Sequence, residues 1–259
     1  MAAAMNDCIV LFGDSQTEFG SKPGGLANRL SQHYSRIFDV LNRGFSGYTT
    51  DQGRILAPRL FYKKIQAPDE ASTLRPGPTG CVRLVTVWFG TNDAALEGHQ
   101  QHVPLQRFRD NLNAILDTIE DRAESAKILL LTPATLIAST AVGDPRRSQV
   151  TETYAKAIID VAAKRNTLKV VAVDLYSMFQ DLAEGEIGSM QPLLLEDGIH
   201  ISDLGYELIF HKLTSTIARQ WPELDVSRLQ PTYPLWRDVM SESGEPVPLE
   251  PRVNLTSSS

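Results

Sequence analysis

The chain has 259 residues, enough for one large domain or two small ones and for a core that needs no disulfide or metal staple. With 42% hydrophobic and 22% charged residues, its composition is that of a folded globular chain rather than a disordered one. Subtracting 31 acidic from 25 basic residues leaves a net charge of -6, which provides no positive field to draw the chain onto a nucleic acid or an anionic lipid surface, so no nucleic-acid partner is expected.

The N-terminal stretch MAAAMNDCIVLFGDS has neither the basic start nor the long apolar middle of a secretory signal, and no run reaches the roughly 18 apolar residues of a membrane span, so a cytoplasmic chain without a span is expected. Its apolar part, Cys8 to Phe12, stops at Gly13 and Asp14 and reads as a first buried strand. Similar short runs at Phe38 to Leu41, Val82 to Phe89, Ile128 to Thr132 and Val170 to Asp174 predict four more. Cys8 and Cys81 each fall in an apolar, strand-like run and read as reduced core thiols.

Between the runs lie segments of helical period. Leu105, Phe108, Leu112, Ile115, Leu116 and Ile119 form one apolar stripe, and Leu204, Leu208, Ile209, Leu213 and Ile217 form another in a last helix from Leu204 to Gln220, with Ser202 as its N-cap. Alternating strands and helices imply parallel strands joined by right-handed crossovers, and hence a three-layer α/β/α sandwich over residues 1–221. Residues 222–259 contain six prolines and end in a polar string, which predicts an irregular extension with a mobile end. Leu229, Tyr233, Leu235 and Trp236 are too apolar for a free tail; they are expected to pack on the domain or to form a homodimer contact.

In an open parallel sheet, ligands bind outside the carboxyl ends of the strands. The residues at those ends are Gly13, Asp14 and Ser15, then Asn42 to Thr50, then Gly90 to Asp93; late in the chain, Asp197 to His200 would join the same rim. Ester hydrolysis needs a nucleophile, a base, a group that orients the base, and donors for the oxyanion. Ser15 can attack, His200 can deprotonate it, and Asp197, with Glu196 as the alternative, can fix the imidazole tautomer. The Ser15 N–H, a glycine N–H from the second loop and the Asn92 amide are the oxyanion candidates. Asp14 and Asp93 read as loop-shaping acceptors, and Trp88 and Phe89 as core residues of which either could line an acyl pocket. His33, His99, His102 and His211 read as surface or interfacial, and no metal site is expected.

The blocks GDS (Gly13 to Ser15), NRGFSG (Asn42 to Gly47), GTND (Gly90 to Asp93) and DGIH (Asp197 to His200) resemble, in order and spacing, the four motif blocks of the SGNH (GDSL-type) hydrolases. The fuller stretches GDSQTEFG, NRGFSGYTT, WFGTNDA and EDGIHIS are most similar to the isoamyl acetate-hydrolysing esterases of that superfamily. The resemblance implies a flavodoxin-like five-stranded parallel sheet in the order 2-1-3-4-5. It implies a serine esterase acting on short-chain, acetate-type esters through an acyl-enzyme, without cofactor. It places the triad on Ser15, Asp197 and His200 and the oxyanion hole on Ser15, Gly47 and Asn92, with Gly44 as the other glycine of the second loop. A lysophospholipase, thioesterase or carbohydrate deacetylase would use the same triad, and a binding protein without turnover is the alternative from another class. Where the family often reads GDSL this chain reads GDSQ; Gln16 is expected to set a polar group beside the nucleophile and to favour short acyl groups.

Overall fold

A computed structural model of the protein describes residues 6–61, 80–136, 146–165, 168–240 and 245. Among these, the apolar runs form strands β1 (Asp7–Gly13), β2 (Phe38–Gly44), β3 (Val82–Trp88), β4 (Lys127–Leu131) and β5 (Val170–Val173). They make one sheet in the order β2-β1-β3-β4-β5, with every neighbouring pair parallel, as the resemblance implies. Because successive side chains in a strand point to opposite faces, each run feeds two cores. Ile9, Leu11, Leu84, Trp88, Leu129 and Leu131 enter one, and Cys8, Val10, Phe12, Val85, Val87, Ile128 and Leu130 the other.

Helices cover both faces. The first core is closed by α2 (Leu26–His33), α6 (Leu175–Glu184) and α7 (Asp203–Gln220), and the second by α3 (Thr50–Leu60), α4 (Leu105–Arg122) and α5 (Ser148–Arg165). The α4 stripe buries Phe108, Leu112, Ile115, Leu116 and Ile119 completely and Leu105 in part. In α7, Ser202 caps the helix as expected by accepting the Gly205 N–H at 3.1 Å. Leu204 departs from its predicted place: the buried face runs through Tyr206, Ile209, Leu213 and Ile217, and Leu204, roughly half a turn round from Tyr206, stays 41% exposed. None of the helices among the described residues is long and apolar enough to cross a membrane.

Two further boundaries differ from the sequence reading. Asn42, Arg43 and Gly44, expected in a loop, continue β2 in register with Leu11, Phe12 and Gly13, because an edge strand half open to solvent tolerates polar residues. Cys81 sits just outside β3 and is only half-buried, although its carbonyl still accepts the Cys8 N–H at 2.9 Å. Cys8 is a buried, unpaired thiol, and burial pushes its pKa up to about 11.

The extension after residue 221 is divided. Leu224 is buried in the first core and its carbonyl accepts the Tyr34 hydroxyl at 3.0 Å, while Val226 and Leu229 pack beside it half-buried. The Arg36 guanidinium donates to the Tyr233 and Pro234 carbonyls at 3.0 and 2.9 Å, and the Thr232 N–H donates to the Arg36 carbonyl at 2.8 Å. Beyond that clip, Leu235 and Trp236 do not pack on the domain: they are 50% and 69% exposed. The polar end of the extension, residues 241–259 apart from Glu245, lies outside the described residues. Leu224→Ala should therefore lower the unfolding free energy by about 2–5 kcal/mol, as for other buried leucines. Trp236→Ser should change that of the single subunit by less than about 0.5 kcal/mol, as for other surface positions. Urea titration followed by circular dichroism checks both, and equal effects would contradict this division.

Candidate active site

Because β1 lies between β2 and β3, the segments leaving these three strands meet at one end of the sheet. The chain turns sharply after β1: Asp14 caps the short helix α1 (Ser15–Glu18), its Oδ1 accepting the Gln16 N–H at 2.9 Å, and Ser15 becomes the first residue of that helix. The late loop brings a base to it. The Asp197 Oδ1 accepts the N–H groups of Ile199 and His200, both at 2.9 Å, folding DGIH into a tight turn, and the Leu195 N–H donates to the His200 carbonyl at 2.7 Å. The His200 Nδ1 lies 2.6 Å from Asp197 Oδ2 and its Nε2 lies 2.9 Å from Ser15 Oγ. A carboxylate can only accept, so Nδ1 carries the proton and Nε2 is left to accept the serine hydroxyl. The Phe19 ring packs against the imidazole with centroids 4.7 Å apart, and the Lys22 ammonium lies 3.9 Å from the Phe19 centroid.

The two loop glycines differ in what their backbones do. Gly44 abuts α1 so closely that a β-carbon there would lie 2.0 Å from the Glu18 nitrogen, and its N–H donates to Asn42 Oδ1 at 2.9 Å. Gly47 has φ +79°, a conformation that favours glycine, and its N–H meets no acceptor among the described residues. The Gly47 carbonyl accepts the Gln101 side-chain amide at 2.8 Å. Asn92 is buried and donates one Nδ2 hydrogen to the Tyr48 carbonyl at 2.9 Å, which leaves the second hydrogen of that amide. The Arg146 Nη2, from just before α5, reaches two residues of the segment between β3 and α4, Asn92 Oδ1 at 3.2 Å and Gln101 Oε1 at 3.3 Å.

Three carboxyls surround this site in opposite states. Burial pushes Asp14 up to about 7 against the pull of the Gln16 N–H, and the nearby Asp93 adds to the rise. Burial likewise pushes Asp93 up to about 6 against the hydrogen bonds from the Thr50 hydroxyl and N–H. Both leave a buried Oδ2 without a hydrogen-bond partner among the described residues. At Asp197 partial burial pushes upward, but the His200 ring and the N–H groups of His200 and Ile199 outweigh it and hold the carboxyl below its usual range.

The structure thus brings Ser15, Asp197 and His200 into one hydrogen-bonded line, and sets Gly47 and Asn92 on the loops flanking Ser15. It is Asp197 and not Glu196 that meets the imidazole. Asp14 and Asp93 hold backbone N–H groups, as expected. Trp88 and Phe89 are each 1% exposed and belong to the two cores, with the Trp88 indole donating to the Thr132 carbonyl at 3.0 Å. Gln16 follows the nucleophile, but it is 2% exposed and its amide is consumed by the backbone of the His200 loop. Gln101 and Arg146 escaped the sequence reading because single residues outside any motif or apolar period carry no signal in one sequence; Phe19 lies in the stretch GDSQTEFG, but nothing in its position there indicates a packing partner. Among the described residues, no three His, Cys, Asp or Glu side chains gather at metal-binding geometry.

The family model for GDSL-like lipases and acylhydrolases matches residues 11–208. The human isoamyl acetate-hydrolyzing esterase 1 homolog is 33% identical over 253 residues, spanning 92% of this chain and 90% of that protein. The isoamyl acetate-hydrolyzing esterase of Schizosaccharomyces pombe is 27% identical, spanning 90% of this chain and 83% of that protein. Among solved structures, an acetyl xylan esterase superposes with a TM-score of 0.62 at 18% identity, over 81% of this chain and 98% of that one; at this identity the likeness is one of fold.

The buried carboxyls give a pH test. With its carboxyl raised to about 6, folded Asp93 holds a proton that the unfolded chain releases at about 4, so its contribution to stability falls between those values and is constant above them. Asp93→Asn removes that titration. Its melting temperature relative to the parent should rise as pH goes from about 4 to about 7 and then level off; a difference independent of pH would mean that Asp93 titrates like an exposed carboxylate.

Proposed function

The chain belongs to the GDSL-like lipase/acylhydrolase family and is a carboxylic ester hydrolase, and on that premise we propose that it cleaves short-chain, acetate-type esters through an acyl-enzyme on Ser15. The observation that carries the mechanism is the line from Asp197 to His200 to Ser15, with contacts of 2.6 and 2.9 Å. The Ser15 oxygen attacks the ester carbonyl while its proton passes to His200 Nε2, and the carbonyl electrons move onto oxygen as an oxyanion. Donors to that oxyanion are the N–H groups of Ser15 and Gly47 and the free hydrogen of the Asn92 amide. The tetrahedral adduct collapses, the C–O bond to the alcohol breaks, and His200 returns its proton to the leaving alkoxide. Water then attacks the acyl-serine with His200 again as base, releasing the acid and restoring the Ser15 hydroxyl. Asp197 stays ionised throughout and stabilises the imidazolium formed in each half. The steps balance without a cofactor.

The short acyl preference rests on relatives named for isoamyl acetate hydrolysis, the human and Schizosaccharomyces pombe proteins among them. Lysophospholipase, thioesterase or carbohydrate deacetylase action would run on the same three residues and differ only in the acyl or leaving group accepted. The exposed Leu235, Trp236 and Met240 support a symmetric homodimer contact; light scattering on the full chain should return twice the chain mass, and a monomer mass would remove that part of the reading.

Ser15→Ala should lower p-nitrophenyl acetate hydrolysis on the order of a million-fold while the melting curve is retained, and should abolish labelling by a fluorophosphonate probe. Retention of a tenth of the activity would exclude Ser15 as nucleophile. Asn92→Ala should cut kcat by about 100-fold to 1000-fold with KM nearly unchanged, the pattern of a lost oxyanion donor; a raised KM alone would place Asn92 in substrate binding. Across p-nitrophenyl esters, kcat/KM should be highest for acetate to butyrate, and a maximum at decanoate would favour the lysophospholipase reading.

A further inference from the structure

We propose that Gln16 is a positioning residue for the general base: its side-chain amide clamps the backbone on both sides of His200 and thereby sets the imidazole against Ser15. The Gln16 Nε2 donates to the Ile199 carbonyl at 2.9 Å, and its Oε1 accepts the Ile201 N–H at 3.2 Å. One planar group therefore holds the residue before His200 and the residue after it. The clamp is itself fixed: the Gln16 N–H is tied to Asp14 Oδ1 at 2.9 Å, and the Gln16 carbonyl accepts the Tyr206 hydroxyl from α7 at 2.7 Å. Ser15 precedes Gln16 in α1, so the nucleophile and the residue gripping the base loop belong to one short rigid element.

The turn at residues 197–200 orients the imidazole with respect to Asp197 but cannot by itself fix where the loop stands relative to α1. An apolar residue at position 16 could fill the buried space, but it would leave the Ile199 carbonyl and the Ile201 N–H without the partners they have here. A displacement of the base by about 1 Å is enough to cost on the order of 100-fold in rate. The inference rests on the reading of His200 as general base.

The experiment is a double-mutant cycle read with p-nitrophenyl acetate. Gln16→Met keeps length and apolar bulk but removes both hydrogen bonds; Gln16→Asn keeps the amide but shortens its reach and serves if the first variant does not fold. In the parent background, kcat should fall about 10-fold to 100-fold with KM within about twofold. In the His200→Ala background, the same substitution should cost nothing further, because a residue acting through the imidazole has no effect once the imidazole is gone. An unchanged kcat for both Gln16 variants overturns the clamp, and so does an equal loss in both backgrounds, which would mark general damage to the fold. Full activity of His200→Ala alone would instead overturn the reading of His200 as base.

Discussion

At the end of β2 there is no room for a side chain, since a β-carbon on Gly44 would stand 2.0 Å from the Glu18 nitrogen. The first helix occupies that room, so its start is wedged against the sheet rather than held out on a loop. From this follow the burial of Ser15 and Gln16, the contact of Asn42 with the Thr17 carbonyl at 2.7 Å, and the reach of the Glu18 carboxylate to the Ser46 N–H at 2.6 Å. The loop that carries Gly47 is therefore anchored to the helix that carries the nucleophile. Preorganisation of this kind, with donors fixed before charge develops, is what an oxyanion site requires.

The electrostatics divide the same way. Asp14 and Asp93 are fully buried, and burial pushes both carboxyls above the usual carboxylate range. At the mouth, Asp197 keeps its charge because three donors outweigh its partial burial. All three carboxyls accept loop backbone N–H groups; Asp197, the least buried of them, also meets the imidazole.

Much of this was legible in the chain itself. Apolar runs located all five strands, periodicity located α4, and four short blocks singled out Ser15, Gly47, Asn92, Asp197 and His200. What escaped depended on neighbours remote in sequence. The edge position of β2 lets Asn42 and Arg43 be strand residues, and no periodicity reveals an edge. Gln16 reads in sequence as a polar group beside the nucleophile, yet the chain 183 residues later claims its amide. Gln101 and Arg146 meet only when the loops after β2, β3 and β4 are folded together. Leu224 and Trp236 are both apolar residues of the same extension, and only the Tyr34 and Arg36 contacts separate the packed part from the exposed one.

The turn from Asp197 to His200 has a consequence for how such a site can be assembled. Asp197 and His200 are three residues apart and are locked to each other by bonds inside the turn, so their mutual geometry is a local property of the peptide. They behave as a prefabricated cartridge, and folding has only to dock it on the first helix, through the 2.9 Å meeting of His200 with Ser15 and the two Gln16 bonds on either side of it. Drift in the rest of the fold can open or close that joint but cannot scramble the order of the parts.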